Sequence, residues 1–226
     1  MKPIAPESLV EHLCTTCGLC CNGVLFRNVR LRQADDPKRL RRLGLTMETK
    51  GTLSCLLQPC SAFDGSHCSL YVDRPSRCRE FECHLLRRAA DGAINLPTAR
   101  RLIHRAQKLA TKIQNDLEAL GNRDTSRPLL ERYAAVMASP IDLQAGPTPS
   151  RLRGRLLTRV DTFMRFAQTE FLGVSSDGLR RIAAAGALGD SPETQRNRAT
   201  PALSGCQPNL PAPPKGRVGD PRSRLA

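Results

Sequence analysis

The chain has no tryptophan and only eight aromatic residues among 226, six Phe and two Tyr. That leaves too few flat rings for a platform that stacks on nucleic-acid bases. Long apolar runs are also missing, and no stretch approaches the roughly 18 residues that a membrane helix requires. The first residues, MKPIAPESLVEHL, hold one Lys, two Pro and two Glu and no apolar stretch of signal-peptide length. The expectation is a cytoplasmic protein with no membrane partner. Nor is there a glycine-rich strand–turn–helix fingerprint for a nucleotide or methyl donor, or an internal repeat of solenoid period.

Acidic residues are scarce relative to basic ones. There are 21 Asp and Glu against 35 Lys and Arg, a formal net charge of +14. Lysine contributes only six of the 35 cations and arginine the other 29. The excess is dispersed, about +3 over residues 1–83, +4 over 84–150 and +7 over 151–226. Such a charge favours acidic partners, including nucleic acid, through a sequence-independent term. A plainly solvated arginine-rich surface accounts for it more simply.

Cysteine is the residue the chain does concentrate. Nine of its ten lie between Cys14 and Cys83, and Cys206 stands alone. In a reducing compartment, close-spaced thiols argue for metal ligation or catalysis rather than a disulfide scaffold. The segment carrying them is rich in turn formers and short of apolar runs, so bonds to metal would supply stability that burial does not. The first group reads CTTCGLCC: Cys14, Cys17, Cys20 and Cys21. Two residues between cysteines let a tight turn bring both thiolates to one metal, and Gly18 gives the turn its backbone freedom. A CxxCxxC run also fits three corners of a cubane cluster completed by a remote cysteine. Cys20 and Cys21 are adjacent, their side chains diverge, and together they do not easily serve one ion. The second group holds Cys55, Cys60, Cys68, Cys78 and Cys83. Eight ligands divide into two four-ligand sites, and zinc, iron–sulfur clusters or one of each satisfy that count. Arg74, Arg77 and Arg79 lie beside these sulfurs, placed either to neutralise thiolates or to pair with Asp73, Glu80 and Glu82. His12, His67 and His84 are alternative ligands that the supply of thiolates makes secondary, and His104 reads as structural.

The rest of the chain reads as helical. Apolar residues recur at helical spacing over 97–120, 128–138 and 151–172, with a weaker pattern over 177–188. A short strand is expected over 23–31, and a short helix after Asp35-Asp36-Pro37, closed before Gly44. Residues 140–150 read as a linker. The composition beyond 189, rich in Pro, Arg, Ser and Gly, reads as disordered. The expected architecture is mainly α: an irregular, metal-stabilised cysteine module with a short strand over 1–90, a helical region over 91–188 against which it packs, and a tail over 189–226.

These motifs resemble a known family. CxxCxxCC followed by C-x2-F-D-G-x2-C-x2-Y-x2-RP-x2-CR-x-F-x-C is similar to the YkgJ-type cysteine-cluster family, described as zinc- or iron-chelating. The matching positions are Cys14, Cys17, Gly18, Cys20 and Cys21, then Cys60, Phe63, Cys68, Tyr71, Arg74, Pro75, Cys78, Arg79, Phe81 and Cys83. The resemblance covers about residues 10–85 and implies chelation by the eight matching cysteines. It leaves Cys55 outside as a spare thiol, with Cys206 a free thiol in the tail. The expected function is chelation of zinc or an iron–sulfur cluster, with metal ions as the partners. Two alternatives stand behind it. A branch with a similar domain, the flagellin lysine N-methylase, implies an iron–sulfur protein methylase; this chain is short for that enzyme and lacks the CxxxCxxC of radical enzymes. The positive charge suggests instead a zinc-stabilised nucleic-acid-binding module.

Overall fold

A computed structural model describes residues 6–140 and 147–174. The architecture is mainly helical, 53% helix against 9% strand, with one small three-stranded sheet. The chain runs α1 (Pro6–Cys17), β1 (Asn28–Arg30), α2 (Pro37–Arg42), β2 (Met47–Lys50), β3 (Leu53–Leu57), α3 (Ser76–Glu80), α4 (His84–Ala90), α5 (Leu96–Ala119), α6 (Leu129–Ala138) and α7 (Pro147–Ala167). A π-helical turn over Gln168–Leu172 continues α7.

Helix α5 is the spine. Its N-terminus is capped by Asn95, whose side chain accepts from the Thr98 amide at 2.9 Å, and Pro97 occupies the first turn where its missing N–H costs nothing. Ala99, Ile103, Ala106, Ala110, Ile113 and Leu117 recur at i+3 and i+4 spacing and are all buried. Against that stripe α7 lays Leu156, Val160, Phe163 and Ala167, and the core continues through Leu13 and Leu19 beside α1 to Leu85 and Leu86 on α4. The three buried alanines of α5, Ala99, Ala106 and Ala110, keep the helices close, and the two large buried phenylalanines, Phe163 and Phe171, fill the far side.

A second, smaller core lies under the sheet. The strands are ordered β1-β3-β2, both pairings antiparallel, with Arg30 opposite Cys55 and Cys55 opposite Glu48. Leu56 of β3 packs with Leu40 of α2, Leu45 and Ala62. Helix α2 starts where Asp35-Asp36-Pro37 predicts: Asp36 accepts from the amides of Lys38 and Arg39, and Pro37 follows.

Two expectations are adjusted. The strand is shorter than 23–31, and it pairs with β3, a run (LSCLL) too short to register as a strand in a cysteine-rich context, which in turn pairs with β2. Residues 147–150, read as linker, form the first turn of α7; Pro147 and Pro149 fit there because first-turn amides have no intrahelical acceptor to lose. The pattern over 177–188 and the composition beyond 189 lie outside the described residues. Among the described residues no helix is long and apolar enough to cross a membrane.

Candidate metal centre

Helix α1 delivers the first two cysteines. Cys14 and Cys17, three apart, share one face at its C-terminal end. The helix stops at Gly18, which has φ +64°. The ring of Phe63 rests where a Cβ on Gly18 would be, so that close approach and the left-handed backbone both require glycine. The Gly18 carbonyl then accepts from the amides of Cys21 and Asn22, each at 2.9 Å. This tight turn sends Leu19 into the main core and leaves Cys20 and Cys21 on consecutive, diverging positions.

The remaining sulfurs come from three directions. Cys60 follows β3, and its amide donates to the Cys21 carbonyl at 2.8 Å, stitching the two cysteine segments together. Cys68 closes a loop built on Asp64, whose carboxylate accepts from the Ser66 and His67 amides at 2.8 and 2.6 Å, with Phe63 bridged to Cys68. Cys78 sits in α3. The N-terminus of that helix is held by Asp35, which accepts from the Ser76 amide and hydroxyl at 2.8 and 2.7 Å. Cys83 caps α4, its sulfur accepting from the Leu86 amide at 3.4 Å.

The eight cysteines Cys14, Cys17, Cys20, Cys21, Cys60, Cys68, Cys78 and Cys83 are all free thiols. Their surroundings sort them into two sets. Cys17 and Cys83 pack against the main helical core, whereas Cys60, Cys68 and Cys78 pack against the small core under the sheet. Electrostatics divides them in the same way. Burial pushes the thiols of Cys14 and Cys17 up to about 12, and Cys83 is a neighbour that adds to each. Burial also holds Cys20 well above the usual thiol value, with Cys83 and Cys17 its strongest thiol neighbours. Burial raises Cys21 to about 11, and there the adding neighbours are Cys60 and Cys68. Cys78, raised by burial to about 12, feels Cys21, Cys60 and Cys68. Cys21 touches both sets, because it also acts on Cys14, Cys17 and Cys20, but the thiols that add to its own burial-driven shift are those of the second. Cys14 is exposed as a residue while burial still dominates its thiol, so neighbours cover the sulfur more than the rest of the residue.

A buried neutral thiol beside other thiols is poised to exchange its proton for a soft cation, since only the thiolate ligates. Basic groups border both sets. The Arg74 charge opposes the upward shifts of Cys14, Cys21 and Cys78, and its guanidinium stacks 3.6 Å over the Tyr71 ring. Arg87 Nε, one helical turn beyond Cys83, is buried with no hydrogen-bond acceptor, as is Arg77 Nε beside Cys78. Each is a donor that a charged sulfur would satisfy. The donor set therefore suits a thiophilic metal. Among the described residues, no three His, Cys, Asp or Glu side chains form a group that would hold an ion as placed.

The arginine pairings differ from the sequence-based expectation. Asp73 pairs with Arg39 and Glu80 with Arg32, which leaves Arg74 to the sulfurs. Cys55, expected to be a spare thiol, is completely buried in β3 and disulfide-bonded, which sets it apart from the eight free thiols. Cys206 lies outside the described residues. His67 meets Ser66 Oγ at 2.7 Å through Nδ1, and His12 is exposed on α1. His84 begins α4 against Gly173, its ionisation lowered by burial and by Arg88 and Arg87. His104, expected to be structural, is exposed on α5. Asp35 and Gln107 were not singled out by the motifs. Gln107 Nε2 donates to the carbonyls of Thr16 and Cys17 at 2.9 and 3.1 Å, tying α5 to the cysteine turn. The Asp35-Asp36-Pro37 cap marks where a helix starts but not that its first carboxylate reaches 41 residues along the chain.

Helices stapled to a cysteine turn and loop thus gather eight free thiols in one small region. Residues 13–108 match the family model CxxCxxCC, whose description reads "Putative zinc- or iron-chelating domain". No curated protein and no solved structure matches the chain.

Proposed function

We propose that the protein chelates two metal centres, one through Cys14, Cys17, Cys20 and Cys83 and the other through Cys21, Cys60, Cys68 and Cys78. The observation that carries this reading is the sorting of the remote thiols, with Cys17 and Cys83 against the main core and Cys60, Cys68 and Cys78 against the small one, while adjacent Cys20 and Cys21 have their strongest thiol neighbours in different sets. The match of residues 13–108 to a zinc- or iron-chelating family model supports metal binding itself. Four thiolates suit a structural zinc or an iron–sulfur centre equally. Chelation would also stabilise the fold, because metal bound only by the folded chain adds its binding free energy to folding.

The test is anaerobic purification with metal analysis and a visible spectrum. Two zinc ions per chain and no colour, or two iron–sulfur centres with broad absorbance near roughly 400 nm, agree with the reading. Cys83→Ser and Cys78→Ser should each remove one centre and leave the other. A single centre lost entirely with either substitution would refute two sites, and protein free of both metals would refute chelation.

A further inference from the structure

Helix α5 is basic along one side and has no acidic residue from Leu96 through Asn115. Arg101, Arg105, Lys108 and Lys112 are exposed and, with His104 and Leu109, line one open groove. At 3.6 residues per turn these four cations fall within about 60° of arc, on the side opposite the Ala99–Ile103–Ala110 core stripe, and span about 16 Å along the axis. Among the described residues none of the four is in an ion pair. Elsewhere the fold does place carboxylates on its cations: Arg88 on Glu170, Arg155 and Arg159 on Asp116, Arg165 on Asp161. Arg105 is steadied by stacking 4.7 Å over Phe166 of α7, which leaves its hydrogen-bonding edge free of a carboxylate.

An unpaired row of like charge on a rigid, well-packed helix costs self-repulsion, and a polyanion with a regular charge spacing relieves it. A carboxylate-bearing protein helix and a phosphodiester backbone both have such spacing. The backbone is favoured because a duplex carries a negative charge about every 1.7 Å of its axis, a density that a protein helix does not reach and that suits closely spaced cations on a chain of net charge +14. Exposed aromatic rings are absent from the groove, which argues for contact with the backbone of a duplex and against stacking on single-stranded bases. We infer that this face of α5 docks the phosphate backbone of double-stranded nucleic acid without reading its sequence. The inference goes beyond metal chelation and is linked to it physically, since Gln107 on the same helix holds the cysteine turn.

The experiment is fluorescence anisotropy of the full, metal-loaded chain with a short labelled DNA duplex. Four phosphate contacts predict a slope of log K against log salt of about −3.6, a loss of about 150-fold between 50 and 200 mM salt. Arg101→Gln, Arg105→Gln, Lys108→Gln and Lys112→Gln combined should abolish most of that slope while the circular dichroism and metal content stay unchanged. The control removes three exposed cations of α2 (Lys38→Gln, Arg41→Gln, Arg42→Gln) and should leave the slope near its original value. Equal losses in both variants would overturn the inference, because binding would then follow net charge and not this face. So would no binding at low salt, or displacement of the duplex by polyglutamate at the same charge concentration, which would point to an acidic protein partner.

Discussion

Asp116 is the most deeply buried ionisable side chain of the helical core, 1% exposed, and removing its partners should cost more than removing the carboxylate itself. Its Oδ1 accepts from Arg155 Nε and a terminal nitrogen at 3.0 and 2.6 Å, and its Oδ2 accepts from Arg159 at 2.7 Å. Arg159 also donates to the Lys112 carbonyl at 3.1 Å, so the cluster fastens α7 to α5. The two guanidinium side chains are 50% and 30% exposed and can turn to water; the carboxylate cannot. Arg155→Ala with Arg159→Ala therefore strands a buried charge, at about 3–5 kcal/mol. Asp116→Ala removes the buried charge and releases both arginines to solvent. Its cost is the lost charged hydrogen bonds, offset by relief of desolvation, and a small void, together about 1–2 kcal/mol. Urea unfolding followed by circular dichroism, at matched metal loading, measures both. An Asp116→Ala variant less stable than the double arginine variant would refute the reasoning, because the carboxylate would then be a net stabiliser and not a desolvated liability held by its partners.

Gly18→Ala should destabilise the cysteine turn by about 1–2 kcal/mol from left-handed backbone alone. It should do more by displacing Phe63, and thermal melting together with metal content would reveal a loss that Gly44→Ala, in open space, does not match. Asp35 carries a pH dependence. Burial would raise its carboxyl, but the Ser76 amide and hydroxyl, the Arg32 amide and the Arg79 charge outweigh that and hold it below its usual value of 3.8. A group depressed in the folded state contributes stability that is present above the unfolded value of about 3.9 and lost as pH falls through the lower folded value. Asp35→Asn should remove that acid-side dependence, read as a smaller slope of stability against pH below about 4; an unchanged slope would count against the Ser76 anchor.

The helices were legible because long amphipathic stripes repeat one signal many times. The stripe Leu102–Ala106–Leu109–Ile113–Leu117 repeats over about four helical turns, and α5, 24 residues long, runs within a residue of the expected 97–120. Short elements hold too few residues to build a periodicity, so β2, β3, α3 and α4 escaped, and α1 was hidden by its cysteines. Spacing singled out nine clustered cysteines, and the family pattern reduced them to the eight ligand candidates. Their division was not legible, because the remote cysteines are sorted by which core they lean on, and that depends on the paths of the Cys60–Cys68 loop and of α3. The same holds for Arg74: the chain puts Asp73 beside it, whereas the fold gives Asp73 to Arg39.

The adjacency of Cys20 and Cys21 makes the sharpest discriminator between one polynuclear centre and two separate ones. In a turn held by two hydrogen bonds to the Gly18 carbonyl, consecutive side chains cannot swing onto one ion without breaking that turn. Cys20→Ser should therefore behave like Cys83→Ser, and Cys21→Ser like Cys78→Ser, although the two substituted atoms are neighbours in the chain. Each serine keeps the size and the turn, so loss of metal cannot be ascribed to a changed backbone. Metal content per chain and the fraction of reactive thiols measure the effect: each variant should lose one centre and expose the three remaining thiols of its own set. Cobalt substitution adds a geometric check, because the surviving site should keep an unaltered thiolate-to-metal absorption band. If Cys20→Ser and Cys21→Ser instead lose the same metal and expose the same thiols, the turn joins the two sulfurs in one centre, and the two-core division of the ligands is wrong.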